Sequence, residues 1–369
     1  MKIDTDFAGG NLLVDSVDGN IFSVRQDIRD TSEWWFWWAF RLTGQPGETA
    51  TFRFGNGDVF TSEGPCASWD SGQSWEWLGR PSDPMTEFSV TLRRDASTVL
   101  LAMAPLYTER NLSAFLATRP AIERHRCCLS EKGREIAQLV VPGTSPHPRT
   151  VIITARTHAC ETPGSFALEG LLDWWAYDGA DDATWARREY SLHALPFVDT
   201  DGVEQGDQGK LREPHDHNRD FGDAPIYSSV RAIQALVADA GDTLDAYIDL
   251  HAPWIRYASN ETMFTVGVPE PWQSESDKFA KLLEKSNESG VPFRHSDIIP
   301  LGIEWNQYTP TISAIWVAEH SSARLSTIIE LAYARARETT LSPALLRSFG
   351  REIGAALARY LRGSGGDGG

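Results

Sequence analysis

The stretch Val151-Ile152-Ile153-Thr154-Ala155-Arg156-Thr157-His158-Ala159-Cys160-Glu161 decides how this chain is read. Its first five residues are apolar or β-branched, the composition of a short buried strand. Beyond Glu161, the span Ser165–Trp175 carries Phe166, Gly170, Leu171 and Trp174 on overlapping turns, as a helix does. His158 and Glu161 stand between strand and helix, three residues apart, so both side chains can turn toward one point. A neutral imidazole and a carboxylate are ligands that Zn²⁺ accepts at ~2.0–2.2 Å, and strand ends are where open α/β sheets build their sites. His-x-x-Glu alone is a common chance pattern, so partners have to come from elsewhere in the chain.

Three further elements supply them. The strand pattern Ala246–Leu250 runs into His251. One strand-end histidine is usually polar decoration, but with His158 and Glu161 it completes a three-ligand zinc site whose fourth position is open, the catalytic arrangement. The strand pattern Ser326–Leu331 carries Glu330 among apolar residues. A buried carboxylate needs a partner, which a metal centre or an arginine such as Arg335 would provide. The segment Pro214-His215-Asp216-His217-Asn218-Arg219-Asp220 is dense in polar groups. Read alone it is a surface loop, yet Asn218 and Arg219 suit a substrate carboxylate, because a guanidinium fork matches two carboxylate oxygens. Gly206-Asp207-Gln208-Gly209-Lys210 is no phosphate loop, since Glu204 and Leu211 stand where that motif needs Gly and Ser or Thr.

The remainder of the sequence sets the frame. About the first 105 residues alternate aromatic and β-branched runs with turn signals: Asn11–Val17, Ile21–Ile28, Trp34–Leu42, Thr49–Phe54, Glu87–Arg93 and Thr98–Ala102, broken at Asp18-Gly19-Asn20, Gly44-Gln45-Pro46-Gly47 and Gly55-Asn56-Gly57-Asp58. That spacing predicts an all-β sandwich. The run Trp34-Trp35-Phe36-Trp37-Trp38-Ala39-Phe40 is expected as a central strand buried on both faces, in preference to a sugar- or peptide-binding platform, because strand alternation splits its rings between two faces. Farther on, strands alternate with helical periods, which predicts an α/β architecture with a mixed central sheet flanked by helices. Pro225–Ala240 and Trp272–Ser286 read as helices. A last helix starts with Ser342 as cap and Pro343 at its first position, and its apolar stripe is Leu346, Phe349, Ile353, Leu357 and Tyr360. The expected division is a sandwich over residues 1–110, a catalytic unit over 111–362 and a flexible tail over 363–369.

The 369 residues carry a formal net charge of -17, which argues against nucleic acid and anionic membranes as partners. The start Met1-Lys2-Ile3-Asp4 has no apolar core of a signal peptide, and no stretch reaches the ~20 apolar residues of a membrane helix. Four cysteines are too few for a disulfide scaffold in so long a chain. These features predict a reducing, cytoplasmic setting. Oligomeric state is not legible.

The order His-x-x-Glu, Asp-x-Asn-Arg, strand-end His, strand-end Glu resembles the zinc carboxypeptidases (funnelins), and most of all their cytosolic carboxypeptidase branch, which also carries an amino-terminal β-sandwich. The segments that carry the resemblance are ARTHACETPGSF, VDTDGVEQGDQGKLREPHDHNRDF, YIDLHA and STIIELAY, within residues 10–362. The resemblance implies one Zn²⁺ per chain held by His158, Glu161 and His251, Glu330 as general base, and Asp216 hydrogen-bonded to His158. Asn218 and Arg219 would bind the carboxylate of a peptide or protein C-terminus. The family arginine that polarises the scissile carbonyl is missing, because Gly209 holds its place, and Lys210 or Arg212 is expected to replace it. Tyr308 matches a family tyrosine by spacing. Ala252-Pro253-Trp254, after His251, departs from the family's polar pair. The implied activity is metallocarboxypeptidase. A small-molecule amidase of the aspartoacylase type would use the same ligands, and a binding module without activity would use only the Trp-rich sandwich.

Overall fold

The computed structural model describes residues 1–55, 57–82 and 85–364. Among the described residues, nine strands form the amino-terminal part: β1 (Lys2–Asp4), β2 (Leu13–Asp18), β3 (Ile21–Arg25), β4 (Ala39–Thr43), β5 (Thr49–Phe54), β6 (Cys66–Ser68), β7 (Glu76–Trp77), β8 (Glu87–Thr91) and β9 (Thr98–Ala102). They make two sheets, in the orders β1-β4-β9-β6-β7 and β2-β3-β5-β8. Strand alternation sets which side chains face inward: Phe22 and Val24 of β3, Ala50, Phe52 and Phe54 of β5, and Phe88 and Val90 of β8 are buried on one face. They pack with Phe40, Leu42, Val99 and Leu101 of the other sheet.

The tryptophan run is not the strand its composition predicts. Residues 34–38 are irregular and β4 begins only at Ala39. Side-chain amides replace the missing strand partner. Trp37 N–H donates to Gln208 Oε1 at 2.6 Å, Gln208 Nε2 donates back to Trp37 O at 2.8 Å, and Gln26 Nε2 donates to Trp35 O. Burial holds, however: Phe36, Trp37 and Trp38 are 2% exposed or less. Trp34, Trp35 and Phe36 each pack on Trp254, at the junction of the sandwich with the rest of the chain.

The second part is a seven-stranded sheet in the order β10 (Glu123–Leu129), β11 (Glu135–Val141), β13 (Tyr190–Leu195), β12 (Arg149–Ala155), β14 (Leu244–His251), β16 (Leu325–Glu330), β15 (Phe264–Val266). The four central strands, β13, β12, β14 and β16, run parallel and the outer pairings are antiparallel. Every residue of β14 and β16 is buried, as expected of parallel strands covered on both faces. On one face lie α2 (Thr162–Tyr177), α6 (Trp272–Ser286) and α8 (Pro343–Ser364); on the other lie α5 (Ser228–Ala240) and α7 (Ser313–His320). Shorter helices are α1 (Glu109–Leu116), α3 (Asp181–Glu189) and α4 (Thr200–Gln205). The chain is thus a mixed α/β sheet flanked by helices and preceded by a β-sandwich. The Ser342 hydroxyl caps α8 by accepting from Leu345 N–H at 3.2 Å, and the whole predicted stripe of that helix is buried. Gly363 and Ser364 belong to α8; the rest of the expected tail, and Asn56 of the expected turn, lie outside the described residues. No helix among the described residues is long and apolar enough to cross a membrane.

Helices α2 and α8 touch through glycine. A Cβ on Gly170 would stand 1.9 Å from Arg347 O, and one on Gly350 would stand 1.9 Å from Ala167 O. Gly170→Ala should therefore force the helices apart and cost about 1–3 kcal/mol in urea unfolding. Gly179→Ala, where nothing lies within 4 Å, should stay within ~0.5 kcal/mol. Equal losses at the two positions would contradict this packing.

Candidate metal centre

Strands β12, β14 and β16 are neighbours and parallel, so their carboxyl ends open on one edge. The register pairs Ala155 with Leu250 and His251 with Glu330, so the three site elements arrive at one depth. The chain then turns sharply at Arg156, which has a positive φ of 57°, a backbone state that non-glycine residues adopt only when held there. The holding groups are its own: the buried guanidinium donates to Ala159 O at 2.9 Å, Tyr107 O at 3.0 Å and Ser165 Oγ at 3.0 Å. This staple curls residues 156–161 so that His158 and Glu161 face back over the sheet edge.

His158 Nδ1 lies 3.0 Å from Glu161 Oε1. His251 Nδ1 lies 3.1 Å from Glu161 Oε2 and 3.2 Å from His158 Nδ1. All three residues are buried, and one ligand atom from each lies within 4.8 Å of the others. Tetrahedral ligands ~2.0–2.1 Å from Zn²⁺ sit roughly 3.3 Å from one another, so the spacing fits a single ion. The charge fits as well. Burial alone would push the Glu161 carboxyl up, yet Lys210, His158 and His251 outweigh it and hold it well below the usual carboxylate range. Burial would likewise lower His251, but Asp249 and Glu161 hold its proton affinity well above the ordinary value. The centre is built to attract positive charge.

Each histidine is braced from behind. His251 Nε2 meets Asp249 Oδ2 at 2.8 Å, and Asp249 also accepts from Thr157 Oγ1 at 3.0 Å and Ser313 Oγ at 2.7 Å. His158 Nε2 lies 3.6 Å from Asp216 Oδ1; Asp216 itself is fixed by the N–H groups of Asn218 and Leu211 at 3.0 and 3.1 Å. Asp249 and Arg156 are the residues that sequence reading passed over. The signal for Asp249 was its place two residues before His251, on the same face of the strand.

Glu330 is 5% exposed and its Oε2 has no hydrogen-bond partner among the described residues. Burial pushes its carboxyl up to about 7, against the pull of His251 and Lys210. It lines a cavity of about 530 Å³ together with His158, Lys210, Asn218, Arg219 and His251. The two candidate replacement cations separate clearly. Lys210 Nζ reaches Glu161 Oε1 at 2.5 Å beside the cavity. Arg212 is turned away into ion pairs with Asp199 and Asp207 at 3.0 Å and Asp30 at 3.3 Å. A Cβ on Gly209, at φ +78°, would stand 2.1 Å from Ala159 N, so no side chain fits at this position, where the resemblance would place an arginine. Asn218 Oδ1 accepts from Ser313 N–H at 3.0 Å, while Arg219 is exposed at the cavity. Tyr308 is not brought to the cavity wall: it is 53% exposed and its hydroxyl donates to Glu319 at 2.8 Å.

No protein-family model and no curated protein sequence matches the chain. Solved structures do: its fold is that of the metallo-carboxypeptidases. A metallo-carboxypeptidase from Burkholderia cenocepacia superposes with a TM-score of 0.80 at 19% identity, covering 98% of this chain and 99% of that one. A metallo-carboxypeptidase from Pseudomonas aeruginosa, in complex with (2-guanidinoethylmercapto)succinic acid, gives 0.81 at 20% identity, with coverage of 98% and 99%. Both matches run through sandwich and α/β sheet alike. Carboxypeptidase A from Helicoverpa armigera matches 70% of this chain and 73% of its own, at 14% identity and a TM-score of 0.53.

Asp249→Asn keeps the shape of the brace and removes its charge. Zinc affinity, measured by chelator competition, should fall about 10–100-fold while the far-ultraviolet circular dichroism is retained. Unchanged affinity would remove Asp249 from the centre.

Proposed function

We propose that this protein is a zinc-dependent metallocarboxypeptidase that removes a residue from the C-terminus of a peptide or protein. The observation that carries the reading is the convergence of His158, Glu161 and His251 beside the partnerless Glu330 oxygen, at the wall of a cavity that also presents Arg219. When bound, Zn²⁺ would lower the pKa of a water and polarise the scissile carbonyl.

The chain's own groups do the rest. Glu330 takes the proton of the attacking water and returns it to the leaving amine. A carboxyl raised toward neutrality by burial suits that task, since it both accepts and releases a proton near pH 7. The Lys210 ammonium stabilises the oxygen that becomes negative as the carbonyl is attacked, and fixed charge at such an oxygen commonly supplies more of the rate enhancement than any other effect. Arg219 and Asn218 hold the terminal carboxylate, which restricts attack to the last peptide bond. Asp216 and Asp249 keep the imidazoles oriented.

The same geometry bears on the side chain removed. Ile328 lies two residues before Glu330 on the same strand face, and Val266 is its cross-strand partner. With Val268, Ile312 and Ile315 they make an apolar wall of the cavity. Glu304, on the rim, is exposed. An apolar terminal side chain gains burial against that wall, whereas a carboxylate or ammonium would lose hydration without a partner. The sandwich ahead of the α/β sheet supports the cytosolic carboxypeptidase branch, and four free cysteines fit a reducing, cytoplasmic setting.

A peptide panel with zinc-loaded protein tests the reading. Leu- and Phe-ended peptides with free carboxylates should be cleaved about 10–100-fold better than Glu- or Lys-ended ones, and amidated peptides should not be cleaved. The acid limb of kcat/KM should follow protonation of Glu330, which burial raises and a bound dication would lower, with activity lost as pH falls through that titration. Glu330→Gln should retain zinc and lose about 10²–10⁴-fold in kcat. Equal cleavage of free and amidated ends would point to a small-amide hydrolase, and full activity in Glu330→Gln would reject the base.

A further inference from the structure

The loop that carries Lys210 is gripped on both sides by the sandwich. Asn11 Nδ2 donates to Gly206 O at 2.7 Å, the Gln208 amide pairs with both backbone groups of Trp37, Ser32 N–H donates to Leu211 O at 2.9 Å, and Glu213 N–H donates to Asp30 O at 3.1 Å. From the α/β side, Cys160 N–H donates to Gln208 O at 3.2 Å. Lys210 therefore projects from a loop whose backbone is fixed while its four-carbon stem stays flexible. Its ammonium pairs with Glu161 Oε1, lies over the Trp35 ring, whose centroid is 5.3 Å away, and is near enough to Glu330 to feel that carboxylate's charge. A cation over an indole face is attracted by the ring's negative face. The ring cannot easily turn, because Trp254 packs edge-on against it at 4.8 Å and 85°.

We propose that Trp35 is a positioning residue, whose face fixes the Lys210 ammonium on the Oε1 side of Glu161 at the cavity, leaving Oε2 to a metal ion, so that the sandwich supplies part of the active centre. This rests on the reading of Lys210 as the cation that meets the reacting carbonyl. Without that face the ammonium is held by the surrounding negative charge alone, Glu161 first and Glu330 after it, and its flexible stem leaves its place between them unfixed.

The test uses the full chain with Trp35→Leu, which keeps apolar bulk and removes the ring, and Trp35→Phe, which keeps a ring face. Lysine acylation is followed site by site by mass spectrometry, with Lys281 on the exposed face of α6 as internal reference, alongside steady-state kinetics on a Phe-ended peptide. In Trp35→Leu, Lys210 should label at least fivefold faster relative to Lys281, and kcat should fall about tenfold with KM within twofold. Trp35→Phe should lie within twofold of the unaltered protein in both readouts. Unchanged Lys210 labelling in Trp35→Leu, identical behaviour of the Leu and Phe variants, or a loss confined to KM would overturn the proposal. A labelling change in a protein that cleaves no peptide would support the positioning while overturning the carboxypeptidase reading.

Discussion

Three parallel strands ending at one edge impose the constraint from which the rest follows. The register that sets His251 opposite Glu330, and the Arg156 staple that curls His158 and Glu161 back over that edge, place two imidazoles and two carboxylates in a buried space. Uncompensated charge of that density is costly in a low-dielectric interior. A divalent cation would resolve it: His158, Glu161 and His251 each offer one ligand atom, and Glu330 is left at the cavity wall with one carboxylate oxygen unpartnered among the described residues. Asp249 and Asp216 extend the arrangement outward, so that each imidazole has a carboxylate behind it.

The sandwich enters the same scheme through hydrogen bonds that belong to neither sheet. Gln208 acts as a strand partner to Trp37, and Asn11 ties Gly206 to the sandwich. These contacts hold the close approach of Gly209 to Ala159, one residue from His158. A backbone pressed against Ala159 leaves no room for an arginine at Gly209, and the adjacent Lys210 brings an ammonium to the cavity from the next position. The aromatic run of the sandwich thus has two tasks. Phe36, Trp37 and Trp38 are core, and Trp35 lines the cavity.

Much of this was legible in the sequence because the informative residues stand at strand ends, where an apolar run stopping at His or Glu is conspicuous. The core of the α/β sheet, the sandwich pattern in β5 and β9, and the capped helix α8 announce themselves through periodicity. Other elements do not. Strand β10, Glu123-Arg124-His125-Arg126-Cys127-Cys128-Leu129, is an edge strand with mostly exposed residues and a bulge, so it carries no apolar alternation. The tryptophan run is misleading for the opposite reason: its composition is that of a strand, but side-chain amides satisfy its backbone, which no pattern along one segment reveals. Lys210 and Arg212 are equivalent cations in the sequence, and only the three carboxylates around Arg212, drawn from separate segments, tell them apart. Tyr308 had spacing alone in its favour, and spacing does not fix where an exposed loop directs a ring.

The central claim is that one divalent ion occupies the space between His158, Glu161 and His251. A crystal of the zinc-loaded protein, measured on both sides of the zinc absorption edge, tests it most directly. The account predicts a single anomalous peak within about 2.0–2.2 Å of one nitrogen from each histidine and an oxygen of Glu161, with the Glu330 carboxylate beside it and not bound. A peak elsewhere, or none at this position under saturating zinc, would contradict it.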